Sequence, residues 1–419
     1  MATLSIDPDP SLIDDPVRIS ATGFLPRSRV TLRLRAVTLR AEASQDFTAD
    51  DEGTLSIPEP MRLFWNARFD AGADVLSMLG TLASLAPLEY ELDASVEGSP
   101  AASRRFERRS LVDGVTRTVV RDGRLRGVFF APTGATAAPP VIVLGGSDGG
   151  NTFAYVAALF AARGFAALLL PYFAYEDLPE DLVEIPLEYF GEAIAWLRGR
   201  PETGGARVDV LGMSMGGQAA LLIGATYPDV GAVVALVPSG IPGGGVSRNP
   251  ARMALSAWTL GGRPVPIIPA RFDPESMKAF SEAMTTGKPI AMAPGFARLL
   301  DGAAIDDIAI QVERTNGPIL LMSAGDDQVW PSTRLTEIAA DRLRVRGFAH
   351  AFEHLSYPNA GHFASIPPYI PTTVTWSRHP QVPFSLEMGG TPEANAAASA
   401  DLWPRIVDFL RRSLSTRGG

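Results

Sequence analysis

Ser214 stands at the centre of Gly212-Met213-Ser214-Met215-Gly216, between the apolar run Val208-Asp209-Val210-Leu211 and a segment with helical spacing from Gln218 to Tyr227. A hydroxyl presented between a strand and a helix is the setting of a nucleophile elbow, so the chemistry to expect is attack on a carbonyl. With 40 glycines in 419 residues, a bare G-x-S-x-G is a weak signal by itself, and the strand and helix around it carry the assignment. The serine of an elbow is strained, and larger residues two positions to either side would collide with the strand and helix passing beside them.

A serine hydroxyl is a poor nucleophile until a histidine takes its proton. That imidazole in turn needs a carboxylate to fix its tautomer and stabilise its charged form. Asp326 and Asp327 directly follow the apolar run Ile319 to Met322, and His362 ends Asn359-Ala360-Gly361-His362 after the short run 353–358. Ser, Asp, His is the chain order of α/β-hydrolases. Asp327, four residues before Pro331, is the favoured acid, and Asp326 stays open as the alternative or as a cap for the next helix.

The developing oxyanion needs two aimed N–H donors. One is expected from the backbone of Met215, next to the nucleophile. The other is expected from the loop Gly145-Gly146-Ser147-Asp148-Gly149-Gly150, with Gly146 and Ser147 as candidates. The loop lacks the lysine of G-x-x-x-x-G-K-[ST] and the full G-x-G-x-x-G spacing, which argues against a phosphate cradle.

The remaining histidines, His350, His354 and His379, read as exposed or capping imidazoles. His350 and His354 are four apart and could share a helical face, but no acidic ligand set accompanies them, so no metal and no cofactor are expected. The cluster Arg104-Arg105-Phe106-Glu107-Arg108-Arg109 could attract an anionic group such as a CoA phosphate; for any single arginine a solvated strand of alternating charge is the plainer reading.

These residues need a scaffold, and the chain is long enough to build one. At 419 residues with 46% apolar content it suits two buried units. The absence of cysteine excludes disulfides, a thiol nucleophile and Cys-ligated metals. A net charge of −9 argues against a nucleic-acid partner. The first residues have neither a basic start nor an apolar core, and no run is long enough to span a membrane, so a soluble cytoplasmic protein is expected. Only Lys278 and Lys288 are lysines among the 37 basic residues, which leaves recognition of anions to arginine. Oligomeric state is not readable.

Residues 1–115 read as a small immunoglobulin-like β-sandwich. Val17–Ala21, Val30–Ala36 and Tyr90–Ala94 alternate apolar and polar side chains, and the apolar stretch Met78 to Ala86 could be a helix or a loop crossing the face. Residues 116–419 read as an α/β unit. An antiparallel pair (117–120 and 125–130) is followed by buried-looking strands at 141–144, 166–170, 208–211, 232–237 and 319–322. Helical spacing occurs at 153–163, 186–198 and 399–413. Continuous apolar strands alternating with helices mean a mostly parallel sheet covered on both faces. The Gly/Pro-rich insertion at about 240–316 is too long for a simple connection and is expected to cap the site.

Across nearly its whole length the chain resembles the acyl-CoA thioesterases and bile acid-CoA:amino acid N-acyltransferases of the α/β-hydrolase superfamily. The resemblance rests on Tyr172-Phe173-Ala174-Tyr175-Glu176-Asp177-Leu178-Pro179 with Leu187-Glu188-Tyr189-Phe190, on the elbow, and on Tyr357-Pro358-Asn359-Ala360-Gly361-His362 with Pro367-Pro368-Tyr369. Gly389-Gly390-Thr391-Pro392 and the terminal helix with Trp403 are similar too. It implies an N-terminal β-sandwich before an α/β-hydrolase domain and a triad of Ser214, Asp327 and His362. The implied reaction is attack on an acyl-CoA thioester, release of CoA and hydrolysis of the acyl-enzyme. Serine in place of the cysteine of the amino-acid transferases favours hydrolysis over transfer. The chain departs from the family in Met215, where many members have lysine, in Gln218, where an acidic residue is common, and in a longer insertion.

A carboxylesterase, a peptidase or amidase, or an acyltransferase working on the same triad is the alternative enzyme. A binding protein that has lost its chemistry is the alternative class, and the complete Ser, Asp, His set weighs against it.

Overall fold

The computed structural model describes residues 1–269, 273–301, 303–365 and 367–415; positions 270–272 and 302 of the expected insertion, and 366 and 416–419 of the expected catalytic segment, lie outside the described residues. The chain begins with strands β1 (Thr3–Asp7), β2 (Ser11–Leu12), β3 (Arg18–Thr22), β4 (Arg29–Ala36), β5 (Ala41–Thr48), β6 (Arg68–Phe69), β7 (Leu88–Val96) and β8 (Ser99–Arg109). They form a two-stranded sheet, β1-β3, and a six-stranded sheet in the order β2-β8-β7-β4-β5-β6. Alternation decides which face is buried: Val30, Leu32, Leu34 and Ala36 of β4 point inward, while Arg29 and Arg33 face water.

Helix α1 (Arg62–Trp65) is short. The ambiguous apolar stretch is helix α2 (Val75–Ala83), which starts earlier than its apolar pattern suggests. Its first turn is fixed by a capping box in which Asp74 accepts from the Ser77 amide and the Ser77 hydroxyl oxygen accepts from the Asp74 amide, each at 3.0 Å.

Strands β9 (Val115–Asp122), β10 (Leu125–Pro132), β11 (Pro140–Leu144) and β12 (Ala166–Leu169) open the second part, with helix α3 (Ala154–Ala162) between the last two. After the two-residue β13 (Ile185–Pro186) and helix α4 (Glu188–Arg198) come β14 (Val208–Met213), helix α5 (Met215–Thr226) and β15 (Val230–Leu236). The segment 240–316 contains α6 (Pro250–Met253), β16 (Trp258–Leu260), β17 (Arg263–Pro264), α7 (Pro274–Thr286), α8 (Ala293–Leu300) and α9 (Ile305–Ile308). Then follow β18 (Ile319–Ala324), α10 (Ser332–Val345), β19 (Phe352–Tyr357), the hairpin strands β20 (Trp376–Arg378) and β21 (Ser385–Glu387), and α11 (Pro392–Ser415).

The large sheet has the order β19-β18-β15-β14-β11-β12-β10-β9. Its β10 is antiparallel to β9 and β12, and the six strands from β12 to β19 are mutually parallel. This is an α/β-hydrolase sheet, with all-β sheets preceding it. The pleat sorts its side chains between two apolar cores. Val141, Val143, Leu211, Val234 and Leu320 face a core shared with the N-terminal sheets, α3 and α11; Ile142, Leu144, Val210, Val233 and Leu321 face a core shared with α4, α5 and α10. Where both faces are covered, at the central strands β11, β12 and β15, the sequence is apolar throughout rather than alternating.

Candidate active site

The parallel strands place four loops at one edge of the sheet, where the carboxyl ends of β11, β14, β18 and β19 meet. After β14 the chain turns at Ser214, which adopts φ 57° and ψ −121°, a backbone conformation that side-chain-bearing residues rarely hold. The turn closes only because its neighbours lack side chains. A Cβ on Gly212 would lie 2.0 Å from the Gly216 carbonyl oxygen, and one on Gly216 would lie 2.2 Å from that of Gly145. The Ser214 amide donates to Leu236 O at 2.8 Å, and Ser214 O accepts from the Gln218 amide at 2.9 Å, so the turn is tied to a strand on one side and a helix on the other.

Asp327, in the loop after β18, accepts from the amides of Val329 (2.9 Å) and Trp330 (3.2 Å) through Oδ1. Its Oδ2 lies 2.7 Å from His362 Nδ1, with both side chains buried. The His362 loop is held by its own amide, which donates to Met388 O at 2.8 Å, and by Asn395, whose Oδ1 accepts from the Gly361 amide at 2.8 Å. Trp330 and Phe363 meet the imidazole edge-on, at 5.9 and 6.0 Å between ring centres. Asp326 is turned away: its carboxylate accepts from the Gly390 amide (3.0 Å) and from Gln328 Nε2 (2.7 Å). It does not cap the following helix, whose N-terminus has no side-chain cap.

Ser214, His362, Gly146 and Ser147 border one pocket, joined by Leu76 and Leu79 of α2. Gly146 approaches so closely that a Cβ there would lie 3.5 Å from Ser214 Cβ. Tyr172 braces this loop by donating to Gly145 O at 2.8 Å and Gly146 O at 3.2 Å. Burial raises the Asp148 carboxyl above its ordinary value, against hydrogen bonds from Thr152 and from the backbone amides of Asp148 and Gly146 that pull the other way. Met215 opens α5, and the first N–H groups of a helix have no acceptor within it.

A second, larger cavity of about 340 Å³ also reaches Ser214, Met215 and Ser147. Its walls are apolar, with Phe280, Met292, Phe296, Trp330 and Phe384 prominent. Most come from the insertion and from the hairpin β20-β21. The insertion is fastened to the elbow helix by Gln218, whose Oε1 accepts from Trp258 Nε1 (2.6 Å) and the Gly243 amide (3.1 Å) while its Nε2 donates to Ile241 O (2.8 Å).

Three expectations are corrected. His379 is not exposed, and a capping role alone is incomplete: besides accepting from the Gln381 amide it serves the site. It lines both cavities, its Nε2 lies 2.9 Å from Ser147 Oγ, and burial, with Arg248 and His362 nearby, pushes its imidazole down to about 4. No local pattern marks it, because the hairpin that carries it is brought in from a distant part of the chain. His354 is on strand β19, not a helix, and contacts Ser323 Oγ at 2.8 Å through Nε2. Arg108 is fully buried rather than solvated. It donates to the carbonyls of Leu12, Asp15 and Tyr369 and lies 4.9 Å from the Phe64 ring centre, linking the N-terminal sheet to the 369 loop. Its strand parity, two residues from buried Phe106, was the available signal. The other arginines of that cluster pair with Asp9, Glu91 and Glu107.

Among the described residues, no group of three or more His, Asp or Glu side chains is placed to hold a metal, and no helix is long and apolar enough to cross a membrane.

Residues 185–416 match the family described as BAAT / Acyl-CoA thioester hydrolase C terminal. Over 445 residues the chain is 30% identical to the peroxisomal succinyl-coenzyme A thioesterase of Mus musculus, covering 99% of this chain and 97% of that protein. It is 30% identical over 440 residues to the mitochondrial acyl-coenzyme A thioesterase 2 of the same organism, covering 99% and 90%. Against acyl-coenzyme A thioesterase 1 of Homo sapiens it is 29% identical over 455 residues, covering 100% and 98%. Two of these relatives bear organelle names, so the cytoplasmic expectation gains no support from them.

Proposed function

The chain belongs to the BAAT/acyl-CoA thioester hydrolase family, and on that premise we propose that it hydrolyses acyl-CoA thioesters through an acyl-enzyme on Ser214. The observation that carries this reading is the buried contact of 2.7 Å between His362 and Asp327, in a histidine that shares a pocket with a strained serine. Ser214 Oγ attacks the thioester carbonyl as its proton passes to His362, and the carbonyl pair moves onto oxygen. Collapse of this intermediate breaks the C–S bond, and His362 returns the proton to the departing CoA sulfur. Water, deprotonated by the same histidine, then attacks the acyl-enzyme, and the free acid leaves with Ser214 restored.

Asp327 holds the imidazole in the tautomer with hydrogen on Nδ1 and stabilises its charged form. The amides of Met215 and of Ser147 receive the oxyanion; Ser147 is the better candidate in its loop because Asp148 engages the Gly146 amide. The apolar cavity of about 340 Å³ beside Ser214 is the acyl site, and segment 240–316 acts as its cap, which fits a role in lipid metabolism. Residues 1–115 act as a β-domain whose helix α2 closes one side of the pocket.

A fluorophosphonate probe tests the reading directly. It should label the wild type at Ser214, lose labelling in Ser214→Ala, and be slowed by an acyl-CoA in competition. Labelling that is unchanged in the variant would contradict it.

A further inference from the structure

The loop after β11 contains one side chain that is held from outside. Ser147 Oγ lies 2.9 Å from His379 Nε2, and the opposite ring nitrogen, Nδ1, accepts from the Gln381 amide at 3.1 Å. In a neutral imidazole one nitrogen donates and the other accepts, so a filled acceptor at Nδ1 puts the hydrogen on Nε2. The imidazole stays neutral at ordinary pH because burial and the facing groups Arg248 and His362 oppose its charging. His379 therefore donates and Ser147 Oγ accepts. The hydroxyl's own hydrogen is then directed away from the imidazole. Ser147 borders both the pocket over Ser214 and the apolar cavity, so a hydrogen not spent on His379 is available to a carbonyl placed there.

We propose that the Ser147 hydroxyl is a third oxyanion donor, beside the backbone amides, and that His379 is its positioning residue. The inference rests on the acyl-enzyme reading above. A single well-aimed donor in such a site is worth roughly 10²-fold or more in kcat. A hydroxyl that also accepts one hydrogen bond keeps only the remaining staggered positions for its hydrogen, so it needs less reorganisation as charge develops. Loss of His379 would let the hydroxyl rotate and leave the donor unaimed.

The test is steady-state CoA release by Ser147→Ala, His379→Ala, His379→Gln and the double variant Ser147→Ala/His379→Ala, with Ser214→Ala alongside. Ser147→Ala keeps the backbone amide, so it reads the hydroxyl alone. It should lower kcat by about 100-fold with KM within about 3-fold. His379→Ala should do the same, the double variant should be no worse than either single, and His379→Gln should recover most of the loss because its Nε2 can donate from a similar position. If His379→Ala fails to fold by its melting curve, Ser147→Ala and His379→Gln carry the test. Unchanged kcat in Ser147→Ala, or additive losses in the double variant, would overturn the inference. Turnover that survives Ser214→Ala would instead overturn the reading beneath it.

Discussion

His362 Nδ1 lies 2.7 Å from Asp327 Oδ2, while the neighbouring Asp326 carboxylate is turned to the Gly390 amide. Two adjacent aspartates thus have separate duties. Asp327→Asn should lower kcat by on the order of 10³- to 10⁴-fold, because an amide no longer selects the required imidazole tautomer. Asp326→Asn should leave kcat within about 5-fold, with a small loss of stability from its loop contacts. The reverse ranking in a CoA-release assay would make Asp326 the carboxylate that serves His362.

Gly212 and Gly216 are required by space, since neither has a positive φ. A methyl at either position meets a backbone carbonyl oxygen at 2.0 or 2.2 Å, and neither strand nor helix can retreat without separating Ser214 from its surroundings. Gly212→Ala should yield protein that is insoluble or, if folded by circular dichroism, unreactive towards a fluorophosphonate. A soluble variant with wild-type labelling would contradict this.

Much of this site was legible in the sequence because its parts are local. The elbow, the loop after β11 and the Asp loop each follow a mostly apolar strand, the His loop follows the mixed strand β19, and the strand order brings their ends together. Less was legible where contacts join distant segments. Nothing near His379 signals that a hairpin will seat it against Ser147, and nothing near Leu76 or Leu79 signals that an N-terminal helix will border Ser214. Arg108 departs from its sequence expectation for a related reason. Its charge suggested water, but its strand parity aligns it with Phe106 and its partners are carbonyls remote in sequence.

Gln218 joins the elbow helix to the insertion through three hydrogen bonds with buried or partly buried groups. Gln218→Leu leaves Trp258 Nε1, the Gly243 amide and Ile241 O without that partner, and should lower unfolding free energy by about 2–4 kcal/mol. Denaturant midpoints would measure this. A change within about 0.5 kcal/mol would mean that water replaces the side chain.

Arg108→Met leaves three carbonyls without their guanidinium donor and should destabilise the protein by about 1–3 kcal/mol. The folded fraction should keep its KM for acyl-CoA within about 2-fold. A KM raised tenfold without loss of stability would return the arginine to CoA binding.

The imidazole of His379 is pushed from 6.5 down to about 4, so the folded protein resists a proton that the unfolded chain accepts readily. Its contribution to stability is complete above pH 6.5 and is lost progressively as pH falls from 6.5 towards 4, by up to about 3 kcal/mol. His379→Gln removes this group, so the difference in unfolding free energy between wild type and variant should shrink by most of that amount between pH 7.5 and 4.5. A difference independent of pH would mean that the imidazole is solvated.

The most direct measurement is CoA release, followed with a thiol reagent across short, long, branched and aromatic acyl-CoAs, for wild type and Ser214→Ala in parallel; the absence of cysteine keeps the protein silent in the assay. The account predicts release by the wild type, fastest with apolar acyl groups that fill the cavity beside Ser214, and its loss by several orders of magnitude in Ser214→Ala. Release that persists in the variant, or none from any acyl-CoA with folded wild type, would contradict it.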